Sequence, residues 1–201
     1  MFDRTVSLRI APGIQRLARQ ANRLGLSANQ LTLLGFLLGM FAAFLIAFQA
    51  YLPGAVAILV SRLLDALDGA VARLTKPTDA GGFLDIALDF VFYASIPLAF
   101  AFSDPARNAL PAAVLLAAFI GTGSSFLAFA VMAAKRGLSN LATPDKSFYF
   151  LGGLTEASET LLCFMAMCVW PGRFIELAYG FAALCAITTA TRIWWGWRAF
   201  Q

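Results

Sequence analysis

The sequence has no histidine, which removes imidazole catalysis, histidine-ligated haem and most zinc sites. It has few charges: Asp, Glu, Lys and Arg make up 13% of the 201 residues, against about a quarter in an ordinary soluble domain. Its three cysteines, Cys163, Cys168 and Cys185, lie in apolar stretches at spacings that match no metal motif or disulfide framework, so they read as small core residues. What the chain has in abundance is apolar residues, 60% of the total. That composition argues against a soluble enzyme, a disordered chain and a collagen-like or disulfide-stapled protein, and for an all-α polytopic membrane protein. The net charge of +4 could suit nucleic acid, but the basic residues sit at the ends of apolar runs, so no nucleic-acid partner is expected.

A helix needs about 20 apolar residues to cross the hydrocarbon core. Residues 24–61 carry no charge, which gives room for two crossings, and Tyr51-Leu52-Pro53-Gly54 reads as the break between them. The predicted spans are residues 31–50, 55–74, 82–103, 109–134, 148–170 and 173–195. These runs are too long and continuous for barrel strands, so the expectation is six transmembrane helices joined by short loops. With the N-terminus inside, the inner ends carry Arg4, Arg9, Arg16, Arg19, Arg23, Arg73, Lys76, Lys135, Arg136, Lys146 and Arg198, whereas the outer ends carry only Arg107 and Arg173. That asymmetry predicts an inner-membrane protein with both termini cytoplasmic, and Trp170 and Trp194, Trp195 and Trp197 fall where interfacial belts would lie.

Residues 1–26 read as a separate amphipathic element ahead of a transmembrane domain at 27–201. They contain too many Arg and too little apolar sequence for a signal peptide. Ile14, Leu17, Ala18 and Ala21 share one helical face, with Arg16, Arg19 and Arg23 elsewhere on the wheel. Pro12 suits a helix start and Gly25 a helix end, giving a basic helix on the inner leaflet. Ser27 followed by Gln30 reads as a capping box opening the first span, in which Gly35 and Gly39 form a small-xxx-small pair suited to close packing.

Four Asp residues fall within 25 positions, in the second and third spans: Asp65, Asp68, Asp85 and Asp89. An ionised side chain near the bilayer centre costs about 2.5–3.5 kcal/mol or more, so such residues need a reason to be there. Asp65 and Asp68 are i, i+3 and Asp85 and Asp89 are i, i+4, so each pair projects from one helical face. A short turn containing Pro77 and Gly81 makes the two helices antiparallel neighbours with both pairs toward the cytoplasmic end. Four carboxylates meeting there repel one another unless cations bind between them. Hard divalent cations with oxygen ligands answer that need, Mg²⁺ (or Mn²⁺) especially, since Mg²⁺ prefers a few carboxylates plus substrate phosphates. Two ions can clamp a pyrophosphate while one carboxylate serves as base. Two rival readings are simple pairing of the Asp residues with Arg62, Arg73 and Lys76, and an ion-coupled transporter; six short helices without a broken, repeated pair argue against the latter.

The run Asp65-Ala-Leu-Asp68-Gly69-Ala-Val-Ala72-Arg73, followed by Gly81-Gly-Phe-Leu-Asp85-Ile-Ala-Leu-Asp89, resembles the motif of the CDP-alcohol phosphotransferases, D-x-x-D-G-x-x-A-R then G-x-x-x-D-x-x-x-D. Seven residues separate Arg73 from Gly81, one fewer than the usual spacing, and the shortening falls in the loop. The segment from Leu26 to Thr32 is similar to the family's Pro-Asn-x-x-Thr entrance to the first span, with Ala28 in place of Pro. The resemblance implies transfer of a phosphoryl-linked group from a CDP-alcohol, often CDP-diacylglycerol, to an acceptor hydroxyl with release of CMP. By position it implies that Asp65, Asp68 and Asp85 hold metal, and that Asp89 completes the cluster and acts as base. It also implies that Gly69, Ala72, Arg73, Asn29 and Thr32 meet the nucleotide, and that the protein is a homodimer. Arg62 is expected to orient Asp65. Intramembrane prenyltransferases also use Asp-rich helices and Mg²⁺, but lack the element that Gly69, Ala72 and Arg73 supply.

The acceptor is chosen outside the motif. Lys135, Arg136 and Lys146 suit a phosphorylated acceptor and equally satisfy the positive-inside rule. Glu156 and Glu159, i, i+3 within the fifth predicted span, either bind a cationic or polyhydroxyl acceptor or pair with Arg192.

Overall fold

The computed structural model describes the backbone of residues 3–137 and 155–201, and side chains within 11–137 and 155–201. The described residues form α1 (Asp3–Arg23), α2 (Ala28–Ala47), α3 (Tyr51–Leu74), α4 (Asp79–Ser103), α5 (Pro105–Lys135), α6 (Ala157–Val169) and α7 (Phe174–Phe200), with a 3₁₀ turn at Pro171–Arg173 and no strand. The all-α expectation holds. Among the described residues, four helices are long and apolar enough to cross a membrane: α2, α4, α5 and α7 with its preceding turn. Helix α3, with 24 residues, spans about 36 Å at 1.5 Å per residue, but Arg62, Asp65, Asp68 and Arg73 dilute its apolar character.

Local signals set several boundaries. The α1–α2 junction is a Schellman turn: Leu26 N donates to Ala21 O at 3.1 Å and Gly25 N to Asn22 O at 3.0 Å, with Gly25 at φ +79°. The expected capping box follows, with Gln30 N donating to Ser27 Oγ at 3.3 Å and Ser27 N to Gln30 Oε1 at 2.9 Å.

Three expectations need correction. The break between the first two spans falls at Phe48-Gln49-Ala50, not at Tyr51–Gly54. Gln49 adopts φ +62°, and Pro53 lies inside the first turn of α3, where a missing N–H leaves no helical bond unmade. Pro12 does not start α1 but lies inside it, exposed, where solvent can take the carbonyl it leaves without a donor. The fifth predicted span is not one helix from 148 to 170: α6 begins at Ala157, and Glu156 is its N-cap.

The core is aromatic and small-residue-rich. Tyr51, Phe100 and Phe174 stack in sequence, with centroids 5.6 and 4.6 Å apart. Phe92 and Phe119 meet Phe164 edge-on. Gly35 and Gly39 are buried, as expected for a close-packing pair: a Cβ on Gly35 would lie 3.3 Å from Ser61 O, and one on Gly39 would lie 2.5 Å from Phe92 Cδ2. Cys168 and Cys185 are buried and Cys163 is half-buried, as core residues. Large apolar side chains cover the outside, among them Phe41, Phe44, Leu110 and Ile120, the arrangement of a protein whose surface faces lipid. Helix α1 packs its Ala18 and Ala21 against Leu67, Ala70 and Val71 of α3.

Candidate metal and nucleotide site

Residues 75–78 join α3 to α4, so the C-terminal half of one lies beside the N-terminal half of the other. Thr78 Oγ1 caps α4 by accepting from Gly81 N at 3.1 Å. The three-to-four-residue spacing then puts Arg62, Asp65, Asp68, Gly69 and Ala72 on one side of α3, and Asp85, Asp89, Phe92 and Tyr93 on one side of α4. One carboxylate oxygen each from Asp65, Asp68 and Asp85 lies within 4.8 Å of the others.

These three fit a hard divalent cation. Ligand oxygens on one octahedral Mg²⁺ stand about 3 Å apart when adjacent and about 4.2 Å when opposite, so the three oxygens need to close by up to about 2 Å, within reach of side-chain rotation. Among the described residues no ion pair reaches Asp68 or Asp85. The Thr32 hydroxyl donates to Asp68 Oδ2 at 2.6 Å and orients it.

Asp89, expected to complete the cluster, stands outside this group of three. It is ion-paired with Arg62, Nη1 to Oδ1 at 2.6 Å. Arg62 also reaches Asp65 Oδ1, at 3.4 Å, so the carboxylate it grips most closely is Asp89 and not Asp65 alone.

A cavity of ≈ 500 Å³ opens beside the carboxylates, lined by Asn29, Thr32, Asp68, Gly69, Ala72 and Asp85 among others. A Cβ on Gly69 would meet only Arg73 Nη1, at 3.4 Å, so Gly69 keeps open the cavity and not a helix contact. Gly81 differs: its Cβ would lie 2.9 Å from Asn29 Oδ1, which makes it a close-approach position. Arg73 is exposed at the end of α3. Asn22, Thr75, Lys76 and Thr78 also line the cavity. Of these the sequence singled out only Lys76, as an inner-end cation and a rival partner for the Asp residues; for the others only the turn signal around Pro77 pointed there.

Of the residues expected at the acceptor, the described ones lie at the end of α5 and the start of α6. Lys135 is exposed in the last turn of α5. Arg136 donates to the Phe200 carbonyl and stands 5.2 Å from the Phe200 ring, fastening the end of α7 to that of α5. Lys146 lies outside the described residues. Glu156 and Glu159 form a capping box at the start of α6, with Glu156 N donating to Glu159 Oε2 at 3.3 Å. Arg192 donates to Thr122 O at 3.1 Å and is close enough to Glu156 to interact electrostatically.

The family model for CDP-alcohol phosphatidyltransferase matches residues 26–195. The chain is 50% identical to inner membrane protein YnjF of Escherichia coli (strain K12) over 98% of its own length and 96% of the relative's. It is 41% identical to archaetidylinositol phosphate synthase of Pyrococcus horikoshii, over 31% of this chain and 34% of that one. In fold it is similar to Mycobacterium tuberculosis phosphatidylinositol phosphate synthase. The crystal structure of that enzyme with manganese and citrate has a TM-score of 0.68, 23% identity, and coverage of 92% of this chain and 88% of that one. The structure with CDP-DAG bound also has a TM-score of 0.68, at 22% identity, covering 92% and 93%.

Proposed function

The chain belongs to the CDP-alcohol phosphatidyltransferase family, and on that premise we propose that it transfers a phosphatidyl group from CDP-diacylglycerol to the hydroxyl of an acceptor in phospholipid synthesis. The observation that carries this reading is the meeting of Asp65, Asp68 and Asp85 oxygens within 4.8 Å beside a cavity that Gly69 leaves open. Asp65, Asp68 and Asp85 would hold the cations, with Asp89 as the fourth acidic ligand on the same face of α4. Two bound Mg²⁺ or Mn²⁺ ions would supply charge neutralisation for the diphosphate and the leaving CMP.

The chain's own residues do the rest. Asp89 takes the acceptor's hydroxyl proton. The acceptor oxygen then bonds to the β-phosphorus as the bond from that phosphorus to CMP breaks, and CMP leaves with the electron pair. Gly69 and Ala72 give the nucleotide room, Asn29 and Thr32 border it, and Arg73 offers a planar cation to its phosphates.

Helices α3 and α6 join the four clear spans to make six, preceded by α1 as the interfacial helix. Both termini and the site face the cytoplasm of the inner membrane, and two copies associate. The positive ends of the apolar runs support that orientation. Lys135, Arg136, Lys146, Glu156 and Glu159 remain the candidates for acceptor selection. The test is CMP release from CDP-diacylglycerol by detergent-purified protein across glycerol 3-phosphate, serine, inositol, inositol phosphate, choline and phosphatidylglycerol. One acceptor should stimulate release, and no release with any of them would overturn the assigned donor.

A further inference from the structure

Arg62 is held through its guanidinium plane and both Nη groups, while its buried Nε makes no hydrogen bond. Its guanidinium carbon lies 3.9 Å from the Phe92 ring centroid and 5.8 Å from that of Tyr93. Its Nη2 donates to Ser61 Oγ at 3.3 Å, and Ser61 Oγ is fixed in turn on Gly35 O at 2.7 Å. The Phe92 ring has no solvent exposure and packs against Gly39. The Arg62 side chain is 11% exposed, whereas that of Asp89 is 33% exposed. The cation is the buried partner of the pair, and the carboxylate at its tip is the more exposed one.

We infer that Arg62 is the resident counter-cation of Asp89: it holds this carboxylate apart from the Asp65–Asp68–Asp85 group and competes with divalent cations for it. The inference rests on reading that group as a metal site. Arg62 is thus a positioning residue that acts through Asp89. A cation that takes Asp89 must first break a short charge-assisted bond, leaving the buried guanidinium only its longer contact with Asp65.

The test is direct Mn²⁺ binding to the purified full-length protein without CDP-lipid, followed by water-proton relaxation, in wild type, Arg62→Met, Asp89→Asn and the double variant. Arg62→Met should bind Mn²⁺ about tenfold more tightly, the size expected when one charge-assisted hydrogen bond no longer has to be broken. In the Asp89→Asn background most of that gain should vanish. A merely structural Arg62, or one acting through Asp65 or long-range charge, would give the same gain in both backgrounds and overturn the inference, as would no gain at all. Should Arg62→Met not fold, Arg62→Lys keeps the charge but loses the fork; it should show a smaller gain that also depends on Asp89, and no gain overturns the inference. Asp65→Asn separates the two levels. Undiminished Mn²⁺ binding in that variant would sink the metal reading itself, whereas intact metal dependence with a flat Arg62 series would sink only the role of Arg62.

Discussion

The Thr32 hydroxyl donates a 2.6 Å hydrogen bond to Asp68, and both side chains are buried, so the second turn of α2 fixes the direction of a carboxylate on α3. A charge-assisted hydrogen bond contributes about 1.5–3 kcal/mol, and removing its donor leaves a buried carboxylate short of a partner. Thr32→Val should therefore lower stability by about 2 kcal/mol and weaken Mn²⁺ binding. Thr32→Ser, which keeps the donor, should restore both. Thermal unfolding in detergent and metal titration check this pair.

Two glycines should respond in opposite ways. Gly69 borders the cavity and a Cβ there meets only Arg73 Nη1, so Gly69→Leu should leave the melting temperature near that of wild type. Its side chain would occupy the cavity proposed for the nucleotide, and overpacking of about 1–3 kcal/mol corresponds to a loss of CMP release of roughly tenfold or more.

At Gly39 the added Cβ would meet Phe92 Cδ2 at 2.5 Å. Gly39→Ala should cost about 1–3 kcal/mol of stability through overpacking. Equal melting temperatures for wild type and Gly39→Ala would show that α2 and α4 do not pack as described.

Glu159 accepts from Glu156 N and from Ser158 Oγ at 3.0 Å, closing the first turn of α6. Glu159→Ala should lose about 1 kcal/mol of stability, while Glu159→Gln, which still accepts, should lose little. An unchanged melting temperature in Glu159→Ala would mean that the cap contributes nothing.

Much of this was legible in the sequence because the signals are local. Gly25, Ser27 and Gln30 act within a few residues of one another, and the Asp pairs share faces through helical spacing alone. The Gly35/Gly39 pair also emerged where close packing occurs. What stayed hidden is what crosses between helices. Thr32 meets Asp68 from 36 positions away and Arg62 meets Asp89 from 27 away, and neither contact has a local signature. The capping role of Glu156 escaped notice for another reason: Glu is an unusual N-cap, and the apolar character of the surrounding sequence hid a helix start. The charges on α3 were read as site residues on a span, and their number is also what keeps that helix from standing out as one.

The central claim is that acidic side chains of α3 and α4 gather divalent ions that grip a nucleotide-linked diphosphate. The most direct measurement is CMP release from CDP-diacylglycerol, with its acceptor, by purified protein with Mg²⁺ or Mn²⁺, after chelation, and in Asp65→Asn, Asp85→Asn and Asp89→Asn. The account predicts release that chelation stops and added metal restores, and turnover lost in each variant while its melting temperature is retained. Full release in the presence of chelator, or undiminished turnover in any of the three variants, would contradict it.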